Sequence, residues 1–124
     1  MGEKVLIVDD SSVSRMIVKK CLPKTRAFEV FEAGDGREGL ARFQEVRPDI
    51  TFLDLTMPVM DGFEALAEIR KVDPVAVVIV LTADIQQKTV DRVMAAGAVT
   101  VVPKPPSAEL IEEALVKADS LSRK

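Results

Sequence analysis

The chain of 124 residues contains no histidine, no tryptophan and no tyrosine, and its one cysteine is Cys21. Without histidine there is no Ser-His-Asp or Cys-His nucleophile system, no histidine metal cluster and no internal histidine to serve as a phosphodonor. One thiol makes neither an internal disulfide nor a multi-thiolate metal site, and nothing about it points to an oxidising compartment. The missing tryptophan and tyrosine leave few rings on which a flavin could stack. A dominant charge sign is also lacking: 17 basic side chains face 20 acidic ones, a formal −3. With no global basic field, direct binding along a nucleic-acid backbone is not expected. Met1 to Val8 offers only a few apolar residues before Asp9 and Asp10 interrupt. That resembles neither a signal peptide nor a membrane span, and a cytoplasmic location is the default expectation.

What is present suits one packed domain. Hydrophobic residues make up 48% and charged residues 30%, with a mean hydropathy of +0.16. Positions 1–124 therefore read as a single domain, with a core over about 4–119 and a polar tail over 120–124. Short β-branched runs alternate with segments of helical period. Strands are expected at Lys4 to Val8, Glu29 to Ala33, Ile50 to Asp54, Val75 to Leu81 and Val99 to Val102. Helices are expected at Val13 to Leu22, Gly36 to Glu45, Gly62 to Lys71, Gln86 to Ala96 and Ala108 to Leu121, with Ser12 and Asp61 as caps and Gly97 as a stop. The unbroken apolar run from Val75 to Leu81 calls for cover on both faces, hence a doubly wound α/β domain with a parallel sheet. In such folds ligands gather at the carboxyl ends of the strands.

Those ends carry Asp9 and Asp10, Asp54, Thr82, and Lys104 within Pro103-Lys104-Pro105-Pro106. Three carboxylates against one ammonium leave a local −2, which a divalent, oxygen-seeking cation would balance. Mg2+ suits carboxylates, waters and phosphate oxygens, with Mn2+ as a substitute, whereas a zinc-type site would want histidine or thiolate. A carboxylate is a competent nucleophile toward phosphorus, which makes Asp54 the candidate acceptor. Thr82 and Lys104 would each pair with a phosphoryl oxygen and the cation with a third.

Taken together, Asp9-Asp10, Leu53-Asp54-Leu55-Thr56-Met57-Pro58 with Asp61-Gly62, Thr82-Ala83 and Lys104-Pro105 resemble a response-regulator receiver domain, most closely its stand-alone, CheY-like members. The resemblance runs from Val5 to about the last helix. It implies strand order 2-1-3-4-5 in a (βα)5 fold with helices on both faces, and phosphorylation of Asp54 by a partner's phosphohistidine. It further implies Mg2+ held by Asp10, Asp54 and the backbone carbonyl of Thr56, with Asp9 assisting directly or through water, and a cis Lys104-Pro105 bond that aims the ammonium into the pocket. The implied partners are a sensor histidine kinase or histidine phosphotransfer protein and a downstream protein target, with the chain a monomer or weak dimer. The family's coupling aromatic, three residues before the lysine, is replaced by Val101. The implied output face spans the fourth helix, fifth strand and fifth helix and includes Gln87, Arg92, Val101 and Glu112. Thr56 and Asp84 flank the attack path, where such positions tune hydrolysis.

Other residues read as structural. Asp35-Gly36 is a turn before a helix, Gly62 lends backbone freedom to the third helix's start, and Met57-Pro58 with Met60 forms a loop. Cys21, four residues after Ile17 on an apolar stripe, is expected to be a buried thiol. Arg15 is expected in solvent, within reach of a partner kinase. Three rival functions share parts of the pattern. A Mg2+-dependent aspartyl-phosphate phosphohydrolase of the haloacid-dehalogenase type would want a second Asp where Thr56 stands, and its other acidic pair after the nucleophile, not before. A flavodoxin-like carrier would find its flavin phosphate repelled by Asp9 and Asp10. A docking receiver without phosphorylation would not need the acceptor, acid pair, threonine and lysine that are all present.

Overall fold

Alternate residues of the apolar strands bury in opposite directions, and this period of two organises the molecule. The computed structural model describes residues 3–55 and 60–122. The elements run β1 (Glu3–Val8), α1 (Ser12–Cys21), β2 (Phe28–Ala33), α2 (Gly36–Val46), β3 (Ile50–Asp54), α3 (Gly62–Val72), β4 (Val78–Thr82), α4 (Gln87–Ala95), β5 (Thr100–Pro103) and α5 (Ala108–Ser122). The five strands form one parallel sheet in the order β2-β1-β3-β4-β5, as the resemblance implies. Val5, Ile7, Ile50, Phe52, Ile79, Leu81 and Val102 pack beneath α1 and α5 with Val18, Ile111 and Leu115. Leu6, Val8, Leu53, Val78 and Val80 face α2, α3 and α4 with Phe43, Leu66, Ile69 and Val93. Among the described residues no helix is long and apolar enough to cross a membrane.

The helices start where short polar side chains satisfy free backbone N–H groups. Asp35 accepts from Glu38 N at 2.7 Å and Asp61 from Glu64 N at 2.9 Å. Ser107 accepts from Leu110 N at 3.2 Å. The cap of α1 is Ser11, which accepts from Ser14 N at 3.2 Å, and not the expected Ser12, which is the first helical residue. Only α4 starts without a side-chain cap at its Ncap residue, Gln86. At its far end Gly97 adopts φ 109°, a left-handed stop that suits glycine, as the sequence indicates.

Two other expectations change. The fourth strand begins at Val78, not Val75, because Asp73 and Pro74 open a turn. Asp73 Oδ1 accepts from Val75 N at 3.1 Å, and Val75 is 81% exposed. Gly62 serves close approach, not conformational freedom. A Cβ there would overlap the Asp54 carbonyl oxygen and lie 2.5 Å from Leu55 Cα. The Gly62 N–H donates to Leu55 O at 2.9 Å, so the start of α3 is clasped to the end of β3.

Gly62→Ala is expected to lower the unfolding free energy by about 1–3 kcal/mol, the usual range for overpacking. At Gly34 the nearest atoms to an added Cβ are side-chain ends at 3.8 and 3.9 Å, so Gly34→Ala is expected to be neutral or mildly stabilising. Urea denaturation of the two variants checks the contrast.

Candidate functional site

The carboxyl ends of β1, β3 and β5 bring three of the singled-out residues to one face of the sheet edge. Asp9 and Lys104 lie one residue beyond β1 and β5, and Asp54 ends β3, so all three continue the alternation that places Ile7, Phe52 and Val102 beneath α1 and α5. Asp9 is fully buried and Asp54 is 4% exposed. The Lys104 ammonium lies between them, 2.8 Å from Asp9 Oδ2 and 3.1 Å from Asp54 Oδ1. Asp9 is fixed further by its N–H bond to Ala33 O at 3.1 Å and by Ser11 N donating to Oδ1 at 3.0 Å. Asp10 is exposed, and carboxylate oxygens of Asp9, Asp10 and Asp54 all lie within 4.8 Å of one another.

This donor set fits Mg2+. It offers only oxygens, two of its carboxylates are buried and already charge-crowded, and the third opens to solvent, where waters complete a hard cation's shell. The backbone carbonyl of Thr56, the remaining expected ligand, lies outside the described residues, as do Met57 and Pro58. The Lys104-Pro105 bond is cis, in agreement with the expectation.

Thr82 follows the other parity, that of Val78 and Val80 on the α2–α4 side. Its Oγ1 accepts from Asp84 N at 3.0 Å, and its backbone carbonyl accepts from Lys104 N at 3.0 Å. Asp84 in turn supplies what α4 lacks. Its Oδ1 accepts from Gln86 N at 3.1 Å and its Oδ2 from the Thr89 hydroxyl at 2.8 Å. The Thr89 hydroxyl, followed by the Gln86 N–H, holds the Asp84 carboxyl below the usual carboxylate range. Val101, paired with Val80 in the sheet, is half-buried and packs against the α2–α4 core. Gln87 and Glu112 are exposed, and the Arg92 guanidinium covers the Phe63 ring of α3 at 3.7 Å from its centroid.

Sequence reasoning missed the anchoring of Arg15. The residue is half-buried rather than free in solvent: its Nε donates to Glu32 Oε1 at 2.8 Å and its Nη1 to the Asp9 carbonyl at 2.6 Å. A signal existed, since Arg15 and Lys19 stand one helical turn apart and Glu32 shares the strand face of Phe28 and Val30. Cys21 is half-buried rather than buried, with Sγ 3.9 Å from the Pro106 carbonyl, and desolvation pushes its thiol up.

Comparison with known proteins agrees with this geometry. The family model described as response regulator receiver domain matches residues 5–116. A chemotaxis protein CheY of Thermotoga maritima is 42% identical over 117 residues, covering 94% of this chain and 98% of that protein. One from Listeria monocytogenes is 44% identical over 115 residues, covering 93% and 97%. Among solved structures, a CheX-CheY-BeF3-Mg2+ complex from Borrelia burgdorferi superposes with a TM-score of 0.89 at 29% identity, covering 94% of this chain and 89% of that one.

Two outcomes follow from the site's charge. Burial alone would pull the Lys104 ammonium down, but its bonds to Asp9 and Asp54 outweigh burial and hold its pKa above the usual lysine value. The stabilisation this gives is complete below the ordinary value of about 10.4 and lost as pH rises through the raised one. Alkaline titration of stability should show that loss in the wild type and not in Lys104→Met. Without metal, Asp10→Asn relieves like-charge crowding and is expected to raise Tm by roughly 2–4 °C, while millimolar Mg2+ raises the wild-type Tm more than the variant's. Calorimetric scans with and without Mg2+ test both directions.

Proposed function

Since the chain belongs to the response regulator receiver family and is a phosphoacceptor signalling switch, we propose that the phosphoryl group is carried by Asp54, with Asp9, Asp10 and the Thr56 carbonyl completing a Mg2+ site. Membership in that family sets aside the phosphohydrolase and flavodoxin-like readings. The observation that carries the assignment is the Lys104 ammonium between two buried carboxylates, with a third carboxylate within 4.8 Å and open to water. The BeF3 and Mg2+ in the Borrelia burgdorferi CheY complex support the same chemistry.

An Asp54 carboxylate oxygen forms a bond to phosphorus as the phosphorus–nitrogen bond of a phosphohistidine breaks, and the departing imidazole nitrogen takes up a proton. The product is an acyl phosphate, and water later returns Asp54 and free phosphate. These 124 residues contain no histidine, so the donor lies outside them: a sensor histidine kinase, a histidine phosphotransfer protein or a small acyl phosphate. Bound Mg2+ would supply charge neutralisation for the incoming phosphoryl oxygens. Lys104 is placed to pair with one of those oxygens, and it already spans the acceptor. The new group adds about −1.5 to −2 of charge beside Asp54.

Thr82 would answer that charge by turning its hydroxyl to donate to a phosphoryl oxygen. Its present bond with the Asp84 N–H then breaks, and Asp84 is the residue that holds the first turn of α4. The signal therefore reaches α4 through Asp84, with Val101 taking the place of an aromatic on β5. A downstream protein would read the α4-β5-α5 face, which includes Gln87, Arg92, Val101 and Glu112. Asp84 and Thr56 would set the phosphoryl lifetime from either side of the attack path.

Incubation with Mg2+ and acetyl phosphate is expected to add one phosphoryl mass to the intact wild type and none to Asp54→Asn. Retention of BeF3 by the wild type alone guards against a product too short-lived to see. Neither adduct forming in the wild type would overturn the acceptor assignment. Upon modification, amide exchange over Gln86–Ala96 and Val99–Val102 is expected to change, and Thr82→Ala or Asp84→Ala to blunt the change at least severalfold. Unchanged exchange in fully modified protein would overturn the route through α4.

A further inference from the structure

The bond that Arg15 makes to main chain lies at the peptide joining the two acidic residues. Its Nη1 donates to the Asp9 carbonyl oxygen at 2.6 Å, and its Nε is tied to Glu32 Oε1 at 2.8 Å. Lys19, one turn later on α1, holds the other oxygen of Glu32 at 2.8 Å. Lys19 followed by Arg15 holds the Glu32 carboxyl below its usual range, so the anchor stays charged at neutral pH. The Arg15 side chain is 19% exposed, its guanidinium fork braced between β2 and the end of β1. Asp9 itself is immobilised by Ala33, Ser11 and Lys104. Asp10 is exposed, and among the described residues no hydrogen bond restrains its carboxylate, so the backbone that carries it, beginning with the peptide before it, is where the fold can bias its position. Arg15 holds the carbonyl of that peptide, and the Ser11 N–H bond to Asp9 Oδ1 closes over it.

We propose that Arg15 is a positioning residue for the metal site: braced on Glu32, it orients the Asp9-Asp10 peptide so that the Asp10 carboxylate faces those of Asp9 and Asp54. The proposal rests on the Mg2+ reading given above. It makes a claim of definite sign. A guanidinium near three carboxylates repels a divalent cation, so charge alone says that removing it tightens Mg2+ binding. Positioning says the reverse, because without the Arg15 bond the backbone that carries Asp10 must be ordered each time the cation binds, and groups supporting metal ligands from outside the coordination shell commonly matter by an order of magnitude or more.

Mg2+ affinity of the full chain, measured by calorimetric titration well below the unfolding temperature, decides between the two. Arg15→Ala is expected to weaken Mg2+ binding about tenfold and, in metal-free protein, to shift the Asp10 and Ser11 amide resonances. Arg15→Lys keeps the charge but loses the fork, and is expected to stay nearer Arg15→Ala than wild type. Glu32→Gln, a milder change that keeps an acceptor for the fork, is expected to fall between wild type and Arg15→Ala. Lys19→Ala removes an equal charge from the same cluster without touching Asp9, and is expected to stay within about twofold of wild type. Unaltered or tighter binding in both Arg15 variants, beside a wild type that binds, would overturn the positioning role and leave the metal site standing. A wild type that binds no Mg2+ would overturn the site reading and the positioning role with it. A merely structural Arg15 would lower stability toward urea while leaving the affinity of the folded protein unmoved, and that pattern also counts against the proposal.

Discussion

The Lys104 ammonium lies directly between the buried carboxylates of Asp9 and Asp54, and the site's geometry depends on it. A pair of unit charges about 4 Å apart interacts by about 4 kcal/mol at the effective dielectric of a protein surface. Two such attractions exceed the one repulsion between the carboxylates, but each buried ion also loses several kcal/mol of hydration. The balance leaves little over, and the nearby Asp10 carboxylate adds a further negative charge. A pocket in that condition accepts positive charge readily. The surrounding structure can be understood as what holds these charges together against their repulsion: Ala33 and Ser11 on Asp9, the α3 clasp behind Asp54, and Thr82's carbonyl on the Lys104 amide.

Much of this was legible because the period of two and the chemistry coincide. The strand ends could be read from where apolar runs stop, and the carboxylates, the threonine and the lysine stand at those stops. The pairing of Asp9 and Asp54 through Lys104 follows once strand order is known. What escaped the sequence were contacts made by backbone. Gly62 is there for the space it leaves beside the Asp54 carbonyl, which no local pattern reports. Arg15 binds a carbonyl, and a carbonyl has no residue identity to read. Adjacent serines made the cap of α1 ambiguous by one position, and the apolar stretch at Val75 was longer than the strand because Asp73 and Pro74 turn the chain through its start.

The five helices are not equally secured. Serine or aspartate side chains start α1, α2, α3 and α5, while α4 relies on Asp84 from outside the helix and, like α1 with Val18, buries one residue of its own, Val93. Arg92 on Phe63 and the left-handed turn at Gly97 supply its remaining moorings. An element with few buried apolar contacts opens at lower free energy than its neighbours. That the Asp84 N–H also donates to the Thr82 hydroxyl links the start of α4 to the strand beside Asp54.

The sheet is also a partition. Asp9, Asp54 and Lys104 continue the face that packs on α1 and α5, and Thr82 continues the face that packs on α2, α3 and α4. The Thr82 hydroxyl on β4 thus stands next to β3 but on the opposite parity from Asp54, with the packed layers beneath both. The two hydrophobic layers are thereby energetically distinct compartments. Substitutions in separate layers that lie more than about 7–10 Å apart and share no partner are expected to combine additively, so the layer beneath α1 and α5 can be remodelled largely without reworking the layer beneath α4.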